Sequence, residues 1–258
     1  MGKTKEQSKK YTQQYQQYIE AYKEHEDCTA KVKRMLLKYA DEGNPIAIRS
    51  LAECYEEGDG VEKDEKKAKE LYREAFFKFK PLAEKEEHPF IQYCLGRCYV
   101  EGNGTRKNHK KAVEWFQKSV DNGGRPFALF DLGLCYLHGL GVEKDEKKAV
   151  DLITQASDEG YDKAQALLAS YYYMGFYGVE QDIDKAAELY YKAKDDKALT
   201  LIAAQFELEQ DYDCAVDCYT KAANFGNKNS MTWLANYYIG KGNNPELAEY
   251  WKKKAEEK

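Results

Sequence analysis

Residues 51–75 read LAECYEEGDGVEKDEKKAKELYREA, residues 95–119 LGRCYVEGNGTRKNHKKAVEWFQKS, and residues 132–156 LGLCYLHGLGVEKDEKKAVDLITQA. A unit that returns about every 37 residues makes the chain an array, in which each copy buries its apolar face on its neighbours. A fourth copy, LASYYYMGFYGVEQDIDKAAELYYKA at 168–193, carries one extra loop residue. Neither a single compact core nor a disordered chain accounts for this pattern.

In the first copy Ala47, Leu51, Ala52 and Tyr55 fall at i, i+4, i+5 and i+8, one face of a helix, called here the A helix of the repeat. Gly58 and Gly60 end it with a turn that β-branched residues cannot take. Asp64 is placed to cap a second helix, the B helix, whose stripe is Ala68, Leu71, Tyr72 and Ala75. Ala52 and Ala68 permit close approach of the two helices, while Leu51, Tyr55 and Tyr72 fill the space between copies. The expected unit is an antiparallel helical hairpin.

The full pattern, LG-x-x-Y-x-x-G-x-G-V-x-x-D-x-x-K-A, resembles the Sel1-like repeat family, a longer-looped relative of tetratricopeptide repeats. It is met by Leu95, Gly96, Tyr99, Gly102, Gly104 and Ala112 in the second copy, with Asn108 where Asp is usual. Leu132, Gly133, Tyr136, Gly139, Gly141, Val142, Asp145 and Ala149 meet it in the third. The resemblance implies an all-α fold, a right-handed α-solenoid of antiparallel hairpins, and a non-enzymatic scaffold or adaptor role.

Past residue 195 the glycine loop is lost, yet Ala198, Ile202, Ala203 and Phe206 keep the A stripe and Ala215, Tyr219 and Ala222 the B stripe. Ser230, Leu234, Ala235 and Tyr238 pair likewise with Ala248, Trp251 and Ala255. The expected organisation is a basic polar tail (1–10), a degenerate capping hairpin (11–44), four Sel1-like repeats (45–194) and two shorter tetratricopeptide-like repeats (195–258). The capping hairpin rests on Tyr15, Tyr18, Ile19 and Tyr22 and on Val32, Leu36 and Tyr39; the competing reading makes the first of these a Tyr/Gln-rich helix that docks on a partner. The insert FKFKPLAEKEEHPF at 77–90 reads as an extension of the preceding B helix, broken at Pro81.

Charge narrows the function. A net charge of −5 with both signs spread along the chain provides no basic stripe to follow a phosphate backbone, so no nucleic-acid partner is expected. No apolar run has the length of a signal peptide or membrane span, and the expected setting is the reducing cytoplasm, without membrane contact. Cys54, Cys98 and Cys135 each precede a repeat tyrosine and face helices without cysteine, which favours free thiols over disulfides.

Chemistry finds little to build on. His25, His88, His109 and His138 are scattered over different repeats, and the glycine loops lack the order of a phosphate-binding loop, so no metal or cofactor is expected. The alternative is an enzyme or metal-binding protein using Cys94 with Cys98 and Cys214 with Cys218, each pair at i, i+4 on one helical face. Two thiolates would need two further ligands, and the same positions serve helix packing.

A surface remains. Positions two before, two after and five after the repeat leucine point away from the buried A stripe, toward the concave side of a solenoid. They are Arg49, Glu53 and Glu56 in the first copy, Tyr93 and Arg97 in the second, and Phe130, Leu134 and Leu137, with His138 beside them, in the third. Tyr173, Glu207 and Asn236 continue the line. The expected partner is a protein or peptide held in this groove, with Phe130 and Leu134 as apolar anchors. Alternatively, tight curvature or the Tyr-rich first helix covers those two residues.

Overall fold

The computed structural model describes residues 2–24, 29–86, 88–124 and 126–257, without the side chains of 2–5, 15, 18, 19, 21–24, 29–33 and 86. Tyr15, Tyr18, Ile19, Tyr22 and Val32 thus lie outside the described side chains, and His25 and Cys28 outside the described residues. Among the described residues the chain forms fourteen α-helices and no strand. It divides into two units, residues 1–149 and 150–258.

The first unit contains α1 (Gly2–Glu24), α2 (Thr29–Asp41), α3 (Pro45–Glu57), α4 (Glu65–Glu86), α5 (Pro89–Glu101), α6 (His109–Asp121), α7 (Phe127–His138) and the first turn of α8 (Glu146–Asp158). α3 with α4 and α5 with α6 are the A and B helices of the first two repeats, and α7 is the A helix of the third. α4 also packs on α5, and α6 on α7.

The loop after α7 shows how the repeat sequence makes its turn. Gly139, at φ 67°, ends the helix by donating its N–H to the Cys135 carbonyl. Gly141 follows at φ 75°, where a Cβ would stand 2.3 Å from the His109 carbonyl carbon and 2.4 Å from the Lys110 nitrogen. The loop therefore rests directly on α6 of the preceding repeat, a contact open to glycine alone. The Asp145 N–H then donates to the Tyr136 carbonyl at 3.0 Å, and its carboxylate accepts the Lys148 N–H at 2.9 Å to start α8. Asp64, Asn108 and Asp182 repeat this cap on Lys67, Lys111 and Lys185 at 2.9, 3.0 and 2.9 Å, so Asn108 keeps the acceptor that the usual Asp supplies.

The lysine of each cap has a second role. Lys67, Lys111, Lys148 and Lys185 lie 4.3, 5.5, 4.1 and 4.2 Å from the ring centroids of Tyr55, Tyr99, Tyr136 and Tyr172. A cation over a ring face is attracted by its quadrupole, which explains the repeated Lys-Ala pair better than a merely solvated helix face.

Two expectations are corrected here. The first ten residues are no tail: α1 begins at Gly2, Ser8 is fully buried, and the helix packs on α2, α3 and α4. Asn44 holds it, donating to the Tyr11 carbonyl at 3.0 Å and to Gln14 at 3.1 Å while its own oxygen caps α3 through Ile46. Nor is the insert broken at Pro81: α4 runs on to Glu86, held by the buried Phe79 and Ala83 one turn apart.

The second unit contains the rest of α8, then α9 (Asp162–Met174), α10 (Ile183–Lys192), α11 (Asp196–Leu208), α12 (Tyr212–Asn224), α13 (Lys228–Ile239) and α14 (Pro245–Glu256). Its hairpins are α9/α10, α11/α12 and α13/α14, around a core that includes Leu199, Ile202, Phe206, Tyr219, Leu234 and Trp251. The last two turns are short, 209–211 and 240–244 against 58–64 between α3 and α4.

Candidate functional site

An A helix turns about 100° per residue, so the positions two after and six after the repeat leucine lie opposite its core, joined by Arg49 two before it on α3 and by Asp131 and Leu201 one before it on α7 and α11, whereas Ser50 and Cys94 one before it on α3 and α5 are buried. In the first unit this face is crossed by a chain of charges. On α3, Arg49 pairs with Glu53 at 2.9 Å and reaches Glu101 of α5 at 2.8 Å. Arg97 also pairs with Glu101 and approaches Asp131 of α7 at 3.4 Å, and Asn103 donates to Glu101 at 2.8 Å. Three successive A helices are thereby tied together. Glu101 and Asp131 were not among the expected groove residues, although Arg97 and Glu101 form an i, i+4 pair that the sequence displays.

Partial burial sets the electrostatics of this ladder. It works against the charge of Arg49, but Glu53 and Glu101 outweigh it and hold the guanidinium pKa above its ordinary value. Burial likewise opposes ionisation of Glu101, yet Arg49 and Arg97 prevail and its pKa is lowered. For Glu53 and Asp131 burial wins over the neighbouring arginines, and both are raised.

Glu101→Gln should therefore lower stability by about 1–3 kcal/mol near neutrality, because two half-buried guanidiniums lose their shared carboxylate. The sign with pH follows from the lowered pKa of Glu101: its contribution is full above the ordinary glutamate value of about 4.3 and is lost as the pH falls through the depressed one. Urea unfolding of wild type and variant should differ most near neutrality and converge in acid. A constant difference would mean that the ladder is not what the substitution disturbs.

Beside the ladder stand Phe90, Tyr93 and Phe127, with centroids 5.9 to 6.4 Å apart. Phe130 and Leu134 are half-buried. Leu137, expected in the groove, is 5% exposed, and this is a correction: five residues past Leu132 the helix has rotated back toward the core. His138 and Glu56 are exposed, and Glu56 accepts the Tyr72 hydroxyl at 2.7 Å.

The second unit's face is different. Leu201 and Leu208 on α11 are 69% and 85% exposed, and Met174 on α9 and Ile239 on α13 are also exposed. Asn236 is exposed, whereas Tyr173 packs against the core and Glu207 turns aside to accept the Trp233 indole N–H at 2.9 Å and the Tyr219 hydroxyl at 3.3 Å. Among the described residues, the most exposed apolar side chains on any A helix therefore lie in this second unit.

The cysteine alternative finds no support in the geometry. Burial pushes Cys94 and Cys98 up to about 12 and Cys135 and Cys218 up to about 11, which disfavours the free thiolate at each. Among the described residues no three of His, Cys, Asp or Glu converge as a metal site, and no helix is long and apolar enough to cross a membrane.

The Sel1 repeat model matches residues 45–76, 92–124, 126–161, 162–196, 204–227 and 229–258, and so includes the two hairpins with shortened turns. Among solved structures, the Sel1 repeat protein from Oxalobacter formigenes is similar at 25% identity with a TM-score of 0.55, over 95% of this chain and 98% of that one. The c5321 protein, a protective antigen present in uropathogenic Escherichia coli strains, displays an SLR fold and aligns at 22% identity with a TM-score of 0.52, over 98% of this chain and 63% of that one. A search of curated proteins found no match. With its repeated glycine turns, capped B helices and six matched segments, the chain belongs to the Sel1 repeat family, α-solenoids of antiparallel helical hairpins.

Proposed function

We propose that this chain is a non-enzymatic interaction scaffold that holds a protein or peptide on the outward faces of its A helices. Sel1 repeats generally serve as protein-interaction scaffolds. One observation carries the assignment to this face: Leu201 and Leu208 stand 69% and 85% exposed on α11, opposite the side that packs into the core. Large apolar groups held in water on a rigid element are what a partner's anchors bury. In the first unit Phe127, Phe130 and Leu134 offer a smaller apolar area beside a charge ladder that is largely self-neutralised. A reducing, cytoplasmic setting suits the six free cysteines of the described residues.

Crosslinked affinity capture from the native cell tests the reading. Leu201→Ser/Leu208→Ser should lose captured partners while melting as wild type does, because neither side chain is in the core. Phe130→Ser/Leu134→Ser should lose them less completely and melt slightly lower. Partners unchanged by both double variants would place the binding surface elsewhere.

A further inference from the structure

The turn of each full repeat runs into its B helix through six residues: EKDEKK at 62–67, RKNHKK at 106–111, EKDEKK at 143–148 and EQDIDK at 180–185. The first and third balance three carboxylates with three lysines, and Lys63 pairs with Glu65 at 3.5 Å as Lys144 does with Glu146 at 2.7 Å. The fourth does not balance. Gln181 takes the place of Lys63 and folds back to donate to the Tyr173 carbonyl at 2.9 Å, while Ile183 takes the place of Glu65 and Asp184 that of Lys66. Three carboxylates then remain with one lysine, Lys185, which lies 4.2 Å from the centroid of the Tyr172 ring. A helix start favours carboxylates, but that dipole is common to all four B helices and would favour a glutamate over Ile183.

These changes border an open cleft within the second unit, lined by Tyr172, Glu180, Asp182, Ile183, Asp184 and Phe206. Its floor is apolar, because Phe206 is 8% exposed and Ile183 packs against the same core. Its rim is not: Glu180 and Asp184 are exposed. Negative charge continues from the rim onto α12, where burial first, and then Asp211, Asp184 and Asp217, raise the pKa of Cys214. No lysine or arginine occurs from Ala198 to Thr220, and the next one, Lys221, pairs with Asp217 at 2.6 Å.

We propose that this cleft receives an arginine or lysine side chain of a partner peptide, its methylenes on Ile183 and Phe206 and its cation between Glu180 and Asp184. A long apolar stem that ends in a positive charge matches an apolar floor with a carboxylate rim, and the same rim repels an acidic segment. The first and third turns satisfy their own charges and leave no such demand. This contact lies at the turn edge of the second unit and not on the A-helix face, so it adds a requirement for basic residues to whatever that face selects.

Fluorescence anisotropy with a labelled peptide of alternating arginine and leucine tests this, with a glutamate and leucine peptide as control and melting curves to check folding. At low ionic strength wild type should bind the arginine peptide and not the glutamate peptide, and should lose affinity as salt rises. Gln181→Lys/Ile183→Glu/Asp184→Lys writes the first repeat's own turn into the fourth and should weaken binding at least about tenfold. Glu249→Lys, at an exposed position of α14, adds the same net charge elsewhere in the unit and should change affinity by less than about twofold. If the triple variant fails to fold, Asp184→Asn alone should still weaken binding several-fold. A wild type that binds neither peptide or both alike, or an equal loss from the triple variant and from Glu249→Lys, overturns the proposal. Leu201→Ser/Leu208→Ser should leave the affinity for this peptide unchanged. A loss there would move the peptide to the A-helix face and overturn the cleft, whereas captured partners lost from that variant with peptide binding kept would uphold both surfaces.

Discussion

Replacing Gly141 by valine should lower stability by more than about 3 kcal/mol. Two penalties coincide there. The residue sits at φ 75°, where a β-branched side chain is strained, and its Cβ would fall 2.3 Å from a backbone carbon of α6. Backbone cannot yield as a side-chain tip can, so the loop must lift and the contact between neighbouring repeats opens. Gly60 is the matched control. It has φ 64° but nothing within 4 Å of the added carbon. Gly60→Val should therefore cost only the conformational penalty, about 1–3 kcal/mol. Urea unfolding followed by circular dichroism separates the two, and equal losses would mean that loop docking contributes nothing beyond backbone strain.

That difference between two glycines of one motif marks where sequence reasoning reached its limit. The hairpins were legible because each turn needs particular chemistry: a left-handed cap at Gly139, an acceptor at Asp145, a small residue at Gly96 against the ring of Phe116. These are local demands, and they recur with the period. The start of α1 was not legible, because nothing apolar in MGKTKEQSKK announces a buried face. The helix is held through hydrogen bonds from Asn44, an ordinary capping residue in the sequence. The passage of α4 through Pro81 was hidden for the same reason, since the burial of Phe79 and Ala83 is a tertiary fact.

The outward face was half legible. Two positions after the repeat leucine, Glu53, Arg97, Leu134, Ala204 and Asn236 all lie away from the helix core, half-buried or exposed. The companion offsets held at Arg49 and Tyr93 but were wrong by one residue, about 100° of rotation, elsewhere on α5, α7 and α11. They led to Leu137, which is buried, and to Glu207, which is spent on Trp233, and passed over Glu101, Asp131, Leu201 and Leu208. A register error of one is harmless for naming a fold and decisive for naming a face. What occupies that face is not encoded in the period at all.

The register can be read out directly on α7. Leu132→Ala should cost about 2–5 kcal/mol, since its side chain is 1% exposed and the hole it leaves cannot fully collapse. Leu137→Ala belongs in the same class, despite the groove position the sequence suggests, because it is 5% exposed. Leu134→Ala, half-buried on the outward face, should cost distinctly less than either, and Lys147→Ala, fully on the solvent side of α8, should stay within about 0.5 kcal/mol of wild type. Propensity cannot produce this order, because alanine is at least as good a helix former as leucine or lysine at every site. Only the rotation of α7 against the core can. A melting series in which Leu134→Ala fell with Leu132→Ala, and Leu137→Ala did not, would show the helix turned by about 100° from the structure described, and the face assigned to binding would be packing instead.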